Sequence, residues 1–368
     1  MPFDLTAARP ASQASNPRSR RLVAIWLFAV CGMILVMVAL GGATRLTGSG
    51  LSIMTWEPLS GALPPLSHAQ WEHLFALYKQ IPQYKLLHRG FGLAGFQHIF
   101  WLEWVHRLWG RLIGVVFLLP LVWFWATGRI GRRLLPLLAA FFVLGGMQGA
   151  VGWIMVASGF RPDSVAVAPA LLAAHLSLAL LLYGVILWTG LSVLTPRPTA
   201  AGGGTARRFA IGATVLTALT IVAGSFVAGT HAGFVYNTFP LMDGRLVPAS
   251  YAELHPFWRN PLRNLAAVQF DHRALATLTA LAVGATVIAG LRGRLPRPAR
   301  LAMMALGLAV AAQYALGVAT LLLVVPMGLA VLHQCNAVLL LTAELVVVHT
   351  LRPARAAAPA TMPAPQEA

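Results

Sequence analysis

Residues 100–111 read FWLEWVHRLWGR and residues 266–277 read AAVQFDHRALAT; each places a His-Arg pair, 166 positions apart, where a loop gives way to a long apolar segment. Two such junctions raise the question of whether the chain is one unit written twice. Other pairs answer it. Gly41, Thr47 and Gly50 fall on Gly224, Thr230 and Gly233 at an offset of 183, Gln148 and Gly152 on Gln313 and Gly317 at 165, and His175 on His333 at 158. An offset that changes slowly along the chain is the pattern left by a duplication whose loops have drifted in length.

The duplicated unit lies in a membrane. Of the 368 residues 58% are hydrophobic and only 10% charged, and the mean hydropathy is +0.73, outside the range of an ordinary soluble domain. Apolar stretches of bilayer-crossing length recur at 22–44, 105–127, 134–157, 170–194, 209–230, 267–290, 300–325 and 328–350. Stretches this long satisfy their backbone groups in hydrocarbon as helices, not as barrel strands. The fold expected is an all-α integral membrane protein of eight transmembrane helices, built as two tandem four-helix bundles. Four spans per unit is an even number, so the two bundles keep one orientation and are related by a pseudo-twofold axis along the membrane normal.

A net charge of +17 raises nucleic acid as a partner, but the arginines lie in short connections on one side of the spans, the distribution of a cytoplasmic face. Arg18, Arg20 and Arg21 precede the first span and Arg129, Arg132 and Arg133 follow the second. Arg197, Arg207 and Arg208 separate the fourth from the fifth, Arg292, Arg294, Arg297 and Arg300 follow the sixth, and Arg352 and Arg355 follow the eighth. Both termini are expected inside. Residues 1–21 form a cytoplasmic tail without a signal peptide's apolar core, 22–195 an amino-terminal half with a long outer loop at 45–104, 196–208 a Pro- and Gly-rich linker, 209–351 a carboxy-terminal half and 352–368 a second tail. The two cysteines, Cys31 and Cys335, make no framework in the exposed loops, and no structural disulfide is expected.

The duplicated histidines carry the chemistry. His106 and His272 open the second and sixth spans, and His175 and His333 lie about a turn inside the fourth and eighth, so all four stand near the outer face. An ionisable side chain in a span is costly and marks a site more often than not. Any one of the four has an equally good reading as a hydrogen-bonded packing residue; four at equivalent positions are harder to read that way. Facing helices of a bundle aim two imidazoles at one point, the axial geometry of haem iron, giving one bis-His site per half, from His106 with His175 and from His272 with His333. Gly145, Gly149 and Gly152 on one face of the third span and Gly41 and Gly42 in the first would make room for a porphyrin; a close helix contact explains them equally well. Zinc or copper would want further Cys, Asp, Glu or His ligands, which neither half clusters.

The halves differ at one position. Glu103 lies three residues before His106, on the same helical face if the helix reaches that far, whereas Gln269 holds that place before His272. One site thus has a base and the other has none, the asymmetry expected if one haem is transformed and its twin relays electrons. The competing reading pairs Glu103 with Arg107 as an i,i+4 ion pair. Arg107 and Arg273 stand where they can meet haem propionates or lipid phosphates. His68, His73, His88, His98 and His255 read as loop residues, His349 as an interfacial one, and His231, opposite Gly48, has no assigned role.

Several strings together resemble the haem A synthase family over nearly the whole chain: GGATRLT at 41–47 and SGLS at 49–52, then Trp56, Pro58, Gly61 and Pro64-Pro65, YKQIP at 78–82, EWVHRLWGR at 103–111, GTHAG at 229–233, NTFPLM at 237–242 and QFDHR at 269–273. The long first outer loop is similar to the proteobacterial and mitochondrial form. The resemblance implies a water-dependent oxidoreductase that converts the C8 methyl of haem O to a formyl group by successive hydroxylations, making haem A for cytochrome oxidase. It implies His106 and His175 flanking the substrate iron, a permanent haem b on His272 and His333, and Glu103 as acid or base. Implied partners are the lipid bilayer, haem O synthase, oxidase assembly factors and an unidentified electron acceptor. Some bacterial members carry a Cys pair in the first outer loop; this chain has none there, which speaks against thiol-based electron entry. The preference for arginine over lysine, 25 to 2, points to a bacterial inner membrane rather than a mitochondrial one. Rival functions are a di-haem b electron carrier and a haem transporter or chaperone.

Overall fold

The computed structural model describes residues 16–195 and 204–353, so most of the linker and both tails lie outside it. It holds eleven α-helices: α1 (Pro17–Leu46), α2 (His68–Tyr78), α3 (Pro82–Leu87), α4 (Leu93–Ala126), α5 (Leu134–Ala157), α6 (Pro169–Leu194), α7 (Gly204–Thr230), α8 (Asn260–Arg263), α9 (Leu265–Arg292), α10 (Arg297–Leu322) and α11 (Met327–Thr350). Eight of them (α1, α4, α5, α6, α7, α9, α10 and α11) are long and apolar enough to cross a bilayer. The remaining three lie in the two long loops. An isolated β-bridge, Met242 to Arg245, is the only extended pairing among the described residues.

Packing follows the duplication. In the first half α1, α4, α5 and α6 form a ring of neighbours, and in the second α7, α9, α10 and α11 form the same ring. The seam joins α6 to α7, α1 to α11 and α6 to α11. Exchanging each helix with its counterpart maps this set of contacts onto itself, as a twofold axis along the bundles requires. Polar contacts cross the seam, one of them between counterpart positions. Arg45 Nη1 donates to the carbonyl of Ala228, 183 positions on, at 2.9 Å, and the Tyr183 hydroxyl meets the Thr342 hydroxyl at 2.6 Å. Gln334 Nε2 donates to the Val38 carbonyl at 3.0 Å, and Gly42 is what admits it, since a Cβ there would stand 2.8 Å from Gln334 Oε1. In hydrocarbon such interhelical bonds contribute about 0.6–2 kcal/mol each.

Several boundaries differ from the sequence reading. α4 begins at Leu93, twelve residues before the expected 105, so 93–104 are helix rather than loop. The early turns are rich in polar and aromatic residues, which a hydropathy window rejects. They are helical because Phe96, Ile99 and Phe100 bury against Leu51, Phe75, Tyr78 and Ile81 from the loop above. His106 therefore stands more than three turns inside α4, and His272 two turns inside α9, not at helix openings. α7 begins at Gly204, which places Arg207 and Arg208 in its first turns.

Candidate functional site

Each of the four histidines packs its imidazole against a glycine of the preceding long helix. A Cβ built at Gly41 would meet His106 Cε1 at 3.2 Å, at Gly152 His175 Cε1 at 2.8 Å, at Gly224 His272 Cε1 at 2.9 Å and at Gly317 His333 Cε1 at 2.9 Å. Any larger residue would push the ring aside, so the glycines hold the space the imidazoles occupy. His106 and His175 come from diagonally opposed helices of the first ring, and His272 and His333 from those of the second. His106 Nδ1 is buried against the first helix with no hydrogen-bond partner, whereas His272 Nδ1 lies 3.1 Å from the Thr220 carbonyl.

A glutamine sits beside the carboxy-terminal histidine of each pair. Gln148 Nε2 donates to the backbone carbonyl of His175 at 2.9 Å and lies 3.1 Å from its Nδ1; Gln313 Nε2 lies 3.2 Å from His333 Nδ1. These glutamines tie the odd and even helices together at ring level.

The residue three before the first histidine of each pair does not face open space. Glu103, 2% exposed, accepts five hydrogen bonds. Ser52 N and Oγ at 2.7 Å and Ile53 N at 3.0 Å reach Oε2, and Arg107 Nε at 3.0 Å and Nη2 at 2.6 Å reach Oε1. Arg107 also donates to the carbonyls of Ile53 at 2.7 Å and Thr55 at 2.9 Å and stacks over Trp153 at 5.6 Å. The second half repeats the device. Arg273 donates to the carbonyls of Tyr236 at 2.6 Å and Thr238 at 2.8 Å, each 183 positions beyond its counterpart, and to Gln269 Oε1 at 3.2 Å, while Gln269 Nε2 donates to Tyr236 O at 3.1 Å. Both pairs clamp the loop leaving the preceding helix onto the helix that bears the histidine.

Other expected residues resolve into simpler places. His231 ends α7 at φ 59°, and its counterpart Gly48 ends α1 at φ 67°. Both occupy the left-handed position of the same helix-terminating turn. Burial, with Arg45 nearby, holds the His231 pKa below the usual imidazole range. His88 Nδ1 meets the Tyr78 hydroxyl at 2.5 Å, and burial likewise lowers its pKa. His349, in the last turn of α11, is 3% exposed: it lies 3.3 Å from Ser192 Oγ and edge-on to Trp188, at the seam. One buried acid escaped the sequence reading. Glu344 is fully buried between α11 and α7, accepting from Thr217 Oγ1 at 2.7 Å. A carboxylate in the middle of an apolar span was the available signal.

The donor set fits haem better than a bare metal ion. Among the described residues no three His, Cys, Asp or Glu side chains gather as metal ligands. Two opposed imidazoles per half, each cradled by glycine, suit an iron whose other four positions a porphyrin already fills.

The profile of the COX15-CtaA family, described as cytochrome oxidase assembly proteins, matches residues 24–345, both bundles in one alignment. The chain belongs to this family. Among COX15-CtaA relatives it is 60% identical to the heme A synthase of Granulibacter bethesdensis, over 94% of this chain and 92% of that one. It is 52% identical to heme A synthase 2 of Acidiphilium cryptum, over 92% and 93%, and 49% identical to the heme A synthase of Rhodospirillum centenum, over 94% and 92%. The COX15-CtaA match thus covers all four histidines, both glutamines and both clamps.

Proposed function

We propose that this chain is a haem A synthase of the bacterial inner membrane, an oxidoreductase that converts the C8 methyl of haem O to a formyl group with water as the oxygen source. The methyl, R–CH3, and one water become R–CHO with loss of four electrons and four protons, so the site must bind an oily porphyrin, accept protons and pass electrons on. The observation that carries this reading is the doubled bis-His arrangement, two opposed imidazoles per half against paired glycines, in a chain similar to named heme A synthases over nearly its full length.

The first half is assigned to the substrate and the second to a permanent haem b, which supplies one-electron redox chemistry when bound. Packing supports that order. The contacts of α1 with α4, α4 with α5 and α5 with α6 are each sparser than their counterparts in the second half, and only α1 with α6 is closer than its twin. A loosely closed ring suits a ligand that comes and goes; a tight one suits a resident. An apolar cleft of about 760 Å3, whose lining includes Trp101, Leu102, Val105 and Ile99, opens along the α4 flank of the first half and fits the entry of an isoprenoid-bearing molecule.

In this reading His106 and His175 orient the substrate, and His272 and His333 hold haem b. Glu103, within a turn of His106, takes protons released as the methyl is oxidised; Arg107 and Arg273 keep their clamps and place positive charge on the side where propionates would lie. A second reading, favoured by its five donors, leaves Glu103 as a clamp alone.

Purification from cells that make haem O, followed by chromatography of the bound haems, tests the function. Haem B together with haem O, a hydroxylated intermediate or haem A is expected; two haem B per chain and no other would overturn the assignment in favour of an electron carrier.

A further inference from the structure

The two glutamines beside His175 and His333 are equivalent in position but not in bonding. In the second half Gln313 is satisfied at both ends: its nitrogen lies on His333 and its oxygen accepts from Asn336 Nδ2 at 2.9 Å. Asn336 is itself oriented by a second bond, Nδ2 to the Ala309 carbonyl at 3.0 Å. In the first half Gln148 keeps the nitrogen side, and the His175 carbonyl at 2.9 Å fixes which end is nitrogen, because a carbonyl only accepts. Its oxygen is buried with no partner. The residue at the place of Asn336 is Leu178, 158 positions earlier, and a leucine has nothing to donate. An unmatched buried amide oxygen costs roughly 1–3 kcal/mol unless something completes it, and its duplicate shows that the fold has a way to complete it from within.

We propose that Gln148 Oε1 is the hydrogen-bond acceptor for an alcohol on the periphery of the substrate haem, and so a specificity-determining residue of the first-half site. This rests on the reading of that half as the haem O site. Gln148 lies against the ring of His175, so a group reaching its oxygen stands beside the porphyrin. Two alcohols meet that description: the hydroxyl on the isoprenoid-bearing side chain of haem O, which haem B lacks, and the hydroxymethyl formed in the first oxidation. The acceptor is a neutral amide, which binds an O–H without stabilising a competing cation. In the second half Asn336 already donates to the same oxygen, so that site lacks the unmatched acceptor.

The duplicate also supplies the test. Leu178→Asn writes the second-half partner into the first half and occupies Gln148 Oε1 without touching Gln148; Gln148→Met removes the acceptor outright; Leu178→Val keeps the apolar character as a control. Holoprotein carrying its own haem b is titrated with haem B, haem O and hydroxymethyl haem O, and binding is read from the Soret band. Wild type and Leu178→Val are expected to prefer at least one alcohol-bearing haem over its counterpart lacking that alcohol by about five- to tenfold. Leu178→Asn and Gln148→Met are expected to bring that ratio towards one. Collapse of the haem O to haem B ratio identifies the side-chain hydroxyl as the partner, and collapse of the hydroxymethyl to haem O ratio identifies the new alcohol. If both ratios survive in both variants, or wild type shows no preference, the proposal is overturned while the haem O assignment stands. If wild type takes up none of the three haems in its first half, the assignment falls and takes the proposal with it.

Discussion

Glu103 with Arg107 and Gln269 with Arg273 grip their loops through carbonyls at matching positions, Ile53 and Thr55 in one half, Tyr236 and Thr238 in the other. One grip is an ion pair and the other an amide. The amide version shows that the clamp does not need a carboxylate, yet the first half keeps one almost wholly buried, where a charge is costly. In the first half the carboxylate also accepts from Ser52 N, Ser52 Oγ and Ile53 N, which one amide could not all receive, so the charge serves the clamp as well as the proton chemistry proposed for it.

The sharpest way to break this comparison is Glu103→Gln, which keeps the shape of the side chain and removes its charge. Because one end of the amide must then face donors at Ser52 and Ile53 or at Arg107, stability is expected to fall by about 1–3 kcal/mol, while the folded protein keeps its haem b. Turnover to haem A is expected to fall by about 100-fold or more, the usual contribution of a positioned acid or base. Retention of full turnover would leave Glu103 as a clamp and return the asymmetry to packing.

Removing the arginines separates the two grips by stability. Arg107→Ala strands a buried carboxylate and is expected to cost about 3 kcal/mol, as breaking a buried pair does. Arg273→Ala strands only a neutral amide and is expected to cost about 1 kcal/mol. Denaturation of the two variants in one detergent measures the gap; equal losses would mean that the ion pair is no stronger a constraint than the amide.

Much of this comparison was already written in the chain. The eight spans follow from hydropathy, and the offsets of 183, 166, 165 and 158 bring all four histidines, their glycines and both glutamines into register. The start of α4 was hidden because its polar, aromatic turns are covered by a loop cluster, a tertiary effect no window detects. The clamps were hidden because their acceptors are backbone carbonyls, which carry no residue signature, although the 183 offset, extended from Gly50 to Ile53 and Thr55, points to Tyr236 and Thr238. Glu344 was legible as a lone carboxylate in an apolar span, but its partner was not, because Thr217 lies on another helix 127 positions away.

That pair offers a third contrast. Ile34 and Ile186, both buried in the first core, hold the places of Thr217 and Glu344 at offsets of 183 and 158. Writing the isoleucines into the second half, as Thr217→Ile with Glu344→Ile, removes a buried acid whose Oε2 has no partner. The double variant is expected to be at least as stable as wild type, by about 1 kcal/mol, since a buried polar pair replaced by apolar residues of similar volume is often neutral or stabilising. A clear loss of stability would show the acid to be integral to the second core.

The smallest effect concerns the turn that both halves use to end their first helix. Gly48 adopts φ 67° without penalty, whereas His231 holds φ 59° with a side chain attached, a conformation that costs a non-glycine residue roughly 1–2 kcal/mol. Among the described residues the imidazole has no hydrogen-bond partner to offset this, and burial, with Arg45 nearby, lowers its pKa. His231→Gly is therefore expected to stabilise the protein by about 0.5–1 kcal/mol once the wider freedom of glycine in the unfolded chain is subtracted, with haem content and turnover unchanged. The reciprocal Gly48→His is expected to destabilise by a similar amount, and its ring would come against the occupied side, where His88 lies within 4 Å of a Cβ at Gly48. If His231→Gly instead lowers turnover while raising stability, the strained turn belongs to the mechanism, and the second half carries more of the chemistry than its haem b alone.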